Sequence, residues 1–147
     1  MSFRIDKMTI DDKAAVVEMM RVFYNSEAVL SNGSEEIYSN DVDACAGENP
    51  YAEGFVFKNG DTYLGYAMLA KGYSTEFGKN CIWIEDIYIQ EVYRGMGIGR
   101  KFFEMLFSTY NDVVYRLEVE EENENAVALY KKCGFEIIPY TEMIKKV

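Results

Sequence analysis

The stretch at 94–101 has the sequence RGMGIGRK, in which three glycines alternate with other residues between basic side chains. Glycines allow a sharp backbone turn and a close approach to a ligand, and the free N–H groups that begin a helix attract anions. The spacing is not that of a P-loop, GxxxxGK[ST], and Arg100 stands where a dinucleotide fingerprint, GxGxxG, needs its last glycine. What remains is Arg-x-x-Gly-x-Gly, which predicts a phosphate-binding turn; the alternative is a glycine turn that merely begins a helix. The candidate anion-binding residues are Arg94, Gly95, Met96, Gly97, Ile98, Gly99, Arg100 and Lys101.

Two carboxylates interrupt an apolar run just before this turn. Glu85 and Asp86 lie within CIWIEDIYI at 81–89, and the chain has no histidine, which excludes Ser-His-Asp and Cys-His sites. Acid–base chemistry must then use Glu, Asp, Tyr, Lys, Cys or water. A carboxylate in an apolar strand should have a raised pKa, which suits a general base. Strand alternation lets only one of the two line a site. Glu85 is the candidate base; the alternative is a structural carboxylate that caps a loop or pairs with a lysine.

The charge balance excludes one class of partner. The chain of 147 residues has 25 acidic and 15 basic residues and a net charge of −10. A general nucleic-acid binder needs a basic face for phosphates, so nucleic acid is not an expected partner. A cationic partner such as an amine or a basic peptide is permitted. The alternative is an acidic surface that only aids solubility.

Cysteine usage and hydropathy bound the cofactors and the location. Cys45, Cys81 and Cys133 lie far apart and form no CxxC, so we expect buried free thiols and neither a zinc site nor a disulfide framework. No apolar run approaches the roughly 18 residues of a membrane span. Residues 1–17 lack the apolar core of a signal peptide. The sequence therefore predicts a cytoplasmic protein with no metal and no membrane partner.

The apolar patterns predict a single domain over 1–147 of the α/β (α+β) class, with helices on both faces of a mixed, mainly antiparallel sheet. Helix starts are indicated by Thr9 with Asp12, by Ser34 and by Asn123 or Asn125. In the first half of the chain we expect a strand at 3–8, a helix after Thr9, a helix from Ser34 to about Ala46, and a hairpin at 54–70 that turns at Asn59-Gly60. A polar loop at 71–80 should lead to a central strand at 81–89 that is buried on both faces. We then expect a helix at 97–110, a strand at 113–119, a helix ending at Cys133 before Gly134, and one or two strands after that.

A second block, LEVEEENENAVALYKKCGF, follows the glycine turn after about 25 residues. Together the two blocks resemble the GNAT superfamily of acyl-CoA-dependent N-acetyltransferases, whose phosphate-binding motif is Gln/Arg-x-x-Gly-x-Gly/Ala and whose later block is similar to N…A…LYxxxGF. The resemblance extends over essentially the whole chain. The segment GYAMLAKGYSTEFGKNCIWIEDIYI with YRGMGIG resembles the spermidine/spermine and thialysine acetyltransferase branch. The later block is matched by Asn123, Ala126, Leu129, Tyr130, Gly134 and Phe135.

The resemblance implies a role for each matched residue. The glycine turn would hold the pyrophosphate of acetyl-CoA, and the pantetheine would extend along Ile87, Tyr88 and Ile89, with an N–H group near Ile87 stabilising the oxyanion. Glu85 would accept the amine proton, directly or through water, or bind the substrate ammonium. Tyr130 would donate a proton to the departing thiolate; the alternative is an aromatic packing residue.

The remaining implications concern the CoA arm and the acceptor. Asn123 and Ala126 would lie at the CoA arm, and Asn123 is also a plain N-cap candidate. Cys133 is expected in the core and not as a nucleophile. The acceptor would be the primary amine of a small molecule, with polyamines, amino acids, antibiotics and protein N-termini as candidates, and a homodimer is expected. The alternatives are a non-catalytic acyl-CoA-binding or sensing module, a protein N-terminal or lysine acetyltransferase, and an interaction protein whose glycines only form a turn. Candidate acceptor-side residues are Tyr24, Glu27, Tyr73, Tyr140 and Glu85, and a cluster of Glu27, Glu35, Glu36, Asp41 and Asp43 near the cleft would favour a polycation.

Overall fold

The computed structural model describes residues 2–147, which form one five-stranded sheet with helices on both faces. The strands lie in chain order across the sheet, antiparallel except for the last pair, which is parallel. This confirms the predicted α+β class. The strands are β1 Arg4–Lys7, β2 Ala52–Asn59, β3 Thr62–Ser74, β4 Lys79–Ile89 and β5 Val114–Leu117, and the helices are α1 Lys13–Phe23, α2 Glu35–Ala46, α3 Ile98–Thr109 and α4 Glu124–Lys132.

Each face of the sheet has its own apolar core. Alternate residues of β2 face opposite sides, with Val56 packing among α1 and α2 and with Phe55 and Phe57 packing against α3. Phe102 and Phe103 of α3 are fully buried, so this helix is held on its face of the sheet by aromatic contacts. Burial on both faces explains why β2, β3 and β4 are almost continuously apolar.

The helix ends are formed by the residues that the sequence indicates. The Ser34 hydroxyl accepts a hydrogen bond from the Ile37 N–H group at 3.2 Å. The Asn123 side chain accepts one from the Ala126 N–H group at 3.3 Å. Gly134 has a φ of 97°, and the N–H group of the next residue, Phe135, donates to the carbonyl of Tyr130 at 2.9 Å, which closes a Schellman motif. The predicted starts of α2 and α4 and the end of α4 are confirmed.

The two hairpins differ from the sequence prediction. Asn59 pairs with Thr62, so the turn between β2 and β3 is Gly60-Asp61 and not Asn59-Gly60. A β-bulge beside Phe57 shifts the register by one residue and leaves this two-residue loop, with a positive φ only at Gly60. The segment 71–80 is not a loop either. It is the exposed end of the β3–β4 hairpin, whose strands pair as far as Ser74 and Lys79, so that only residues 75–78 form the turn.

The predicted strands at the end of the chain are wrong. Within the described residues no helix or strand follows α4, and residues 136–147 are exposed. Pro139 lacks the N–H group that a ladder needs, and no strand lies beyond β5 in the sheet to pair with this segment. The sheet therefore ends at β5.

Candidate active site

The pairing of β4 with β5 stops halfway along β4. Ile84 pairs with Leu117 at the end of β5, but β4 continues to Ile89, so residues 85–89 lie beyond the last β5 pairing. The Gln90 N–H group donates to the Leu64 carbonyl at 2.8 Å. By strand alternation the backbone N–H groups of Ile87 and Ile89 then point away from β3, toward the open edge. An extended ligand can pair with this edge as an added strand.

A β-bulge places Glu85 at the start of this open edge. Met68 pairs with Asp86 and Leu69 pairs with Ile84, which leaves Glu85 as the extra residue of β4. The bulge reverses the strand's alternation, so that Ile84 before it and Ile87 after it both pack toward α3. The Glu85 residue is exposed while Asp86 is buried. Bulges of this kind re-aim a single side chain, and here that side chain is the candidate base.

Several carboxylates share the electrostatic environment of Glu85. Partial desolvation and the charges of Asp86 and Glu142 raise the pKa of Glu85. The pKa of Asp41 is raised by burial and by the charge of Glu85, and the pKa of Glu118 is raised by burial, by its neighbour Glu142 and by the charge of Glu85. The arrangement favours a bound cation and gives Glu85 a higher proton affinity than an isolated glutamate.

The glycine turn has the geometry of an anion cradle. Gly95 and Gly97 have φ values of 80° and 83°, and a Cβ atom at either position would meet nothing within 4 Å. No side chain caps α3, and the first helical bond runs from the Lys101 N–H group to the Gly97 carbonyl at 3.0 Å, so the N–H groups of residues 98–100 precede the helical ladder. Gly99 serves packing instead, since a Cβ atom there would lie 3.0 Å from the Leu129 side chain of α4.

The basic residues around the turn differ in how free they are to bind an anion. The Arg94 Nε atom donates to the Ile89 carbonyl at 2.8 Å, and its guanidinium lies 5.9 Å from the centroid of the Tyr88 ring. The Arg100 Nε atom lies 3.3 Å from Glu104, while Lys101 is exposed. Arg94 therefore joins the end of the open edge to the turn, and any bound phosphate would depend chiefly on backbone N–H groups.

Tyr130 lies on α4 beside the turn. Its ring packs edge-on against Phe103 and Phe135, with centroid separations of 5.9 and 6.1 Å. Burial raises the pKa of Tyr130 to about 12. Among the described residues its hydroxyl makes no hydrogen bond with a protein group. The structure thus gives the ring a packing role and leaves a protonated hydroxyl free for a ligand.

Residues 16–135 match the model of the Acetyltransferase (GNAT) family. The chain belongs to this family. The thialysine N-epsilon-acetyltransferase of Sus scrofa is 36% identical over 99 residues, which cover 60% of this chain and 58% of that one. The spermine/spermidine N(1)-acetyltransferase of Bacillus subtilis (strain 168) is 27% identical over 143 residues, which cover 92% of this chain and 89% of that one.

The fold is also shared with a solved structure. An aminoglycoside N-acetyltransferase in complex with CoA superposes with a TM-score of 0.80 at 11% identity, covering 99% of this chain and 95% of that one. At this identity the likeness shows the fold alone. This chain spans about 58% of the length of the Sus scrofa relative.

The other predicted residues of the GNAT site are placed as follows. Asn123 is the N-cap of α4. Its side-chain oxygen accepts a hydrogen bond from the Ala126 N–H group, so both of these groups are used in the cap. Tyr24 ends α1, and its hydroxyl donates to Asp86 at 2.8 Å, so its polar end faces another protein group. Glu27 is exposed in the segment that follows α1.

Two predicted tyrosines lie toward the other end of β4. Tyr73 pairs with Asn80, five residues before Glu85, which is about 16 Å along a strand. The Tyr140 hydroxyl donates to Glu76 at 2.5 Å at the tip of the same hairpin. The structure therefore does not bring either tyrosine to Glu85.

Of the acidic residues between α1 and α2 and within α2, one reaches the site. Glu35 pairs with Arg21, and Asp43 pairs with Lys13 at 2.8 Å, so ion pairs neutralise both. The charge of Glu85 contributes to the raised pKa of Asp41, so these two carboxylates share one electrostatic environment. Sequence patterns gave no sign of Glu118 and Glu142, because they approach Glu85 only through the path of the chain after β5 and α4.

Residues 2–147 contain neither a metal-binding cluster nor a membrane-spanning helix. No group of three or more potential ligand side chains there could hold a metal ion. No helix in the same part of the chain is long and apolar enough to cross a membrane.

Proposed function

We propose that this GNAT protein transfers the acetyl group of acetyl-CoA to a primary amine of a small cationic molecule by direct attack in a ternary complex. One observation carries the proposal: the unpaired edge of β4 begins at a bulged carboxylate, Glu85, and ends at an uncapped, glycine-lined helix start. A thioester donor needs an anchor for its phosphates and an edge for its arm, and an amine acceptor needs a base.

The residues present fit the donor. The open space above Gly95 and Gly97 leaves room for a pyrophosphate against the first N–H groups of α3, where the helix dipole favours an anion. The backbone N–H group of Ile87 faces the open edge and can donate to a carbonyl oxygen that gains charge. Acetyl-CoA supplies the activated thioester.

Glu85 is assigned the proton transfer. An alkylamine has a pKa near 10 and is protonated at neutral pH, so it must lose a proton before its lone pair can attack. The Glu85 carboxylate, with its raised pKa, takes that proton directly or through water. The new C–N bond forms as the C–S bond breaks, and the thiolate leaves with the bonding electrons. Tyr130, still protonated, donates a hydrogen bond to the leaving sulfur. The acylated nitrogen loses its second proton, the sulfur takes up one proton and ends as the thiol, and Glu85 releases the proton of the ammonium to solvent.

We infer that the acceptor is polyamine-like. The accessible carboxylates around Glu85, namely Asp41, Glu118 and Glu142, would attract additional ammonium groups of the same molecule. The relatives named thialysine and spermine/spermidine acetyltransferases support this class. A protein N-terminus or lysine would instead need an open groove for a peptide.

An acceptor panel tests the function. Thiol release from acetyl-CoA is followed with spermidine, spermine, thialysine, an aminoglycoside and an N-terminal peptide. We expect kcat/KM to be at least tenfold higher for the polyamines than for the peptide, which is about 1.4 kcal/mol of selectivity. Tight CoA binding without transfer to any acceptor would instead favour a sensing module. The predicted cytoplasmic location and homodimer stay predictions.

The glycine turn gives a prediction for donor binding. Gly97 has a φ of 83°, a conformation that is about 1–2 kcal/mol less favourable for a residue with a Cβ atom. In Gly97→Ala the turn should therefore relax, and its N–H groups should move. We expect the Kd for CoA to rise about tenfold in isothermal titration calorimetry. Gly78→Ala is the matched control, since Gly78 has a φ of 63° and lies at the tip of the β3–β4 hairpin. It should lose similar stability and keep its CoA affinity. If Gly97→Ala and Gly78→Ala bind CoA with equal affinity, the glycine turn has no role in donor binding.

A further inference from the structure

A buried cluster of hydroxyl and carboxylate groups lies directly beside the β4 bulge. The Tyr24 hydroxyl donates to one oxygen of Asp86 and the Tyr66 hydroxyl donates to the other, each at 2.8 Å. Asp86 is 4% exposed and Tyr66 is fully buried. Burying a carboxylate so deeply would strongly destabilise the fold without these two hydrogen-bond donors. The two tyrosines and Asp86 therefore form one hydrogen-bonded unit of the fold.

The cluster joins four elements at one point. Tyr24 ends α1, Tyr66 lies on β3 and Asp86 lies on β4. The Tyr24 ring also packs at 5.6 Å from the ring of Tyr38 on α2. The preceding residue in β4, Glu85, has no partner on β3 because it is the bulged residue. The fixed side chain of Asp86 therefore anchors the backbone immediately after Glu85.

We propose that Tyr24, Tyr66 and Asp86 are positioning residues that hold the β4 bulge and the Glu85 carboxylate in place for removal of the amine proton. The proposal rests on the proposed function of Glu85. It gives Asp86 a role through its neighbour, because its own oxygens are occupied by the two tyrosines and closed to solvent. A misplacement of about 1 Å in such a group can lower a rate about 10²-fold.

The charge of Asp86 adds a consequence for pH. Burial raises the pKa of Asp86 to about 6, while the two tyrosine donors lower it from a still higher value. Above that pH the ionised carboxylate raises the pKa of Glu85. The other groups that face Asp86 are Asp41 and Cys45 of α2, and the pKa of the Cys45 thiol is raised to about 12, so the thiol stays neutral. We therefore expect removal of the Asp86 charge to lower the pKa of Glu85.

The test compares the wild-type protein with Asp86→Asn, which keeps the shape of the side chain. The pKa of Glu85 is measured by ¹³C NMR titration of carboxyl-labelled glutamate, with Glu85→Gln used to assign the signal. We expect the Glu85 titration to move to lower pH in Asp86→Asn, and the acid limb of kcat/KM for spermidine to move with it. We also expect kcat to fall about 10- to 100-fold, while the Kd for CoA stays unchanged.

Tyr24→Phe and Tyr66→Phe keep the test valid if Asp86→Asn does not fold. Each removes one donor from Asp86, and each should lower kcat for the amine several-fold with an unchanged Kd for CoA. Tyr63→Phe is the control. The Tyr63 hydroxyl donates a similar hydrogen bond of 2.6 Å to a different carboxylate, Asp12, which is not part of β4. This variant should leave the kinetics unchanged.

Three outcomes decide between the possibilities. A Glu85 titration that stays in place in Asp86→Asn, with unchanged kcat, overturns the positioning role. Equal losses in Tyr63→Phe and Tyr24→Phe overturn it too, since they would show a general effect on stability. If the wild-type protein transfers no acetyl group to any amine, the proposed function fails, whereas the NMR titration still reports whether Asp86 controls Glu85.

Discussion

Replacing Glu85 by glutamine is expected to lower kcat/KM for a primary amine by about 10²–10⁴-fold at pH 7. The substitution keeps the shape of the side chain and removes its capacity to take a proton. At pH 7 only about one in 10³ molecules of an amine with a pKa near 10 is neutral, so a variant without a base must wait for that fraction. The loss is measured as initial rates of thiol release with spermidine at saturating acetyl-CoA.

The size of the loss should depend on pH in a defined direction. The wild-type rate stays level once the pH exceeds the raised pKa of Glu85, because the carboxylate then removes the amine proton. The rate of the variant rises about tenfold per pH unit until the amine is neutral near pH 10. The ratio of the two rates is therefore greatest at low pH and approaches one near pH 10. Below the pKa of Glu85 the ratio stops growing, because the wild-type base is then protonated as well.

Glu36→Gln is the matched control for this substitution. Glu36 is an exposed glutamate in the first turn of α2, and its loss should leave the rate unchanged at every pH. The CoA affinity of Glu85→Gln should also equal that of the wild-type protein. A wild-type-to-variant ratio that is constant between pH 6 and 10 would contradict the role of base and would leave Glu85 as a binder of the substrate ammonium.

Local signals were enough to predict the helix ends and the glycine turn. Ser34, Asn123 and Gly134 act within four residues of themselves, so their side chains or backbone preferences decide the structure whatever surrounds them. The turn at 94–101 is of the same kind, since its positive φ values require glycine. A resemblance between two short blocks and a family motif extended these local signals to the fold.

The features around Glu85 depend on pairing between distant strands and could not be predicted in this way. The bulge arises from the register of β3 against β4, and Tyr24 reaches Asp86 across 62 residues of sequence. One local sign did exist. Ile82 and Ile84 occupy even positions while Ile87 and Ile89 occupy odd ones, a change of alternation that a bulge at Glu85 explains.

The prediction of strands in the final segment, 136–147, was wrong for the opposite reason. Its residues have an apolar pattern typical of strands, but a strand also needs a partner, and within the described residues nothing pairs with 136–147. The consequence reaches the site, because this segment brings Glu142 toward Glu118 and Glu85. Charge at the acceptor side therefore depends on a part of the chain whose local pattern alone was misleading.

Replacing Tyr130 by phenylalanine is expected to lower kcat about 10²-fold with little change in CoA affinity. Phenylalanine keeps the edge-on contacts with Phe103 and Phe135, so α4 stays in place beside the glycine turn. What is lost is one O–H donor, which the proposed mechanism uses only when negative charge develops on the leaving sulfur. An interaction made only in the transition state changes kcat and kcat/KM equally and leaves binding of the ground state alone.

The pH dependence tests whether the Tyr130 hydroxyl stays protonated during turnover. Because burial raises the pKa of Tyr130 to about 12, the hydroxyl stays protonated well above the pKa of about 8.5 of an ordinary thiol. The wild-type rate should therefore show no decline from Tyr130 between pH 7 and 10, and the loss in Tyr130→Phe should be the same across that range. A decline near pH 9 that disappears in the variant would contradict the raised pKa.

Tyr115→Phe provides the comparison. Tyr115 also has a pKa raised to about 12, but its hydroxyl donates to the carbonyls of Leu106 and Tyr110 at 3.1 and 2.6 Å. Losing these bonds should lower the free energy of unfolding by about 1 kcal/mol and leave kcat unchanged. Tyr130→Phe should show the reverse, with stability kept and turnover lost. If both variants lose stability and neither loses turnover, Tyr130 is a packing residue, and the sulfur must leave as the thiolate or take its proton from water.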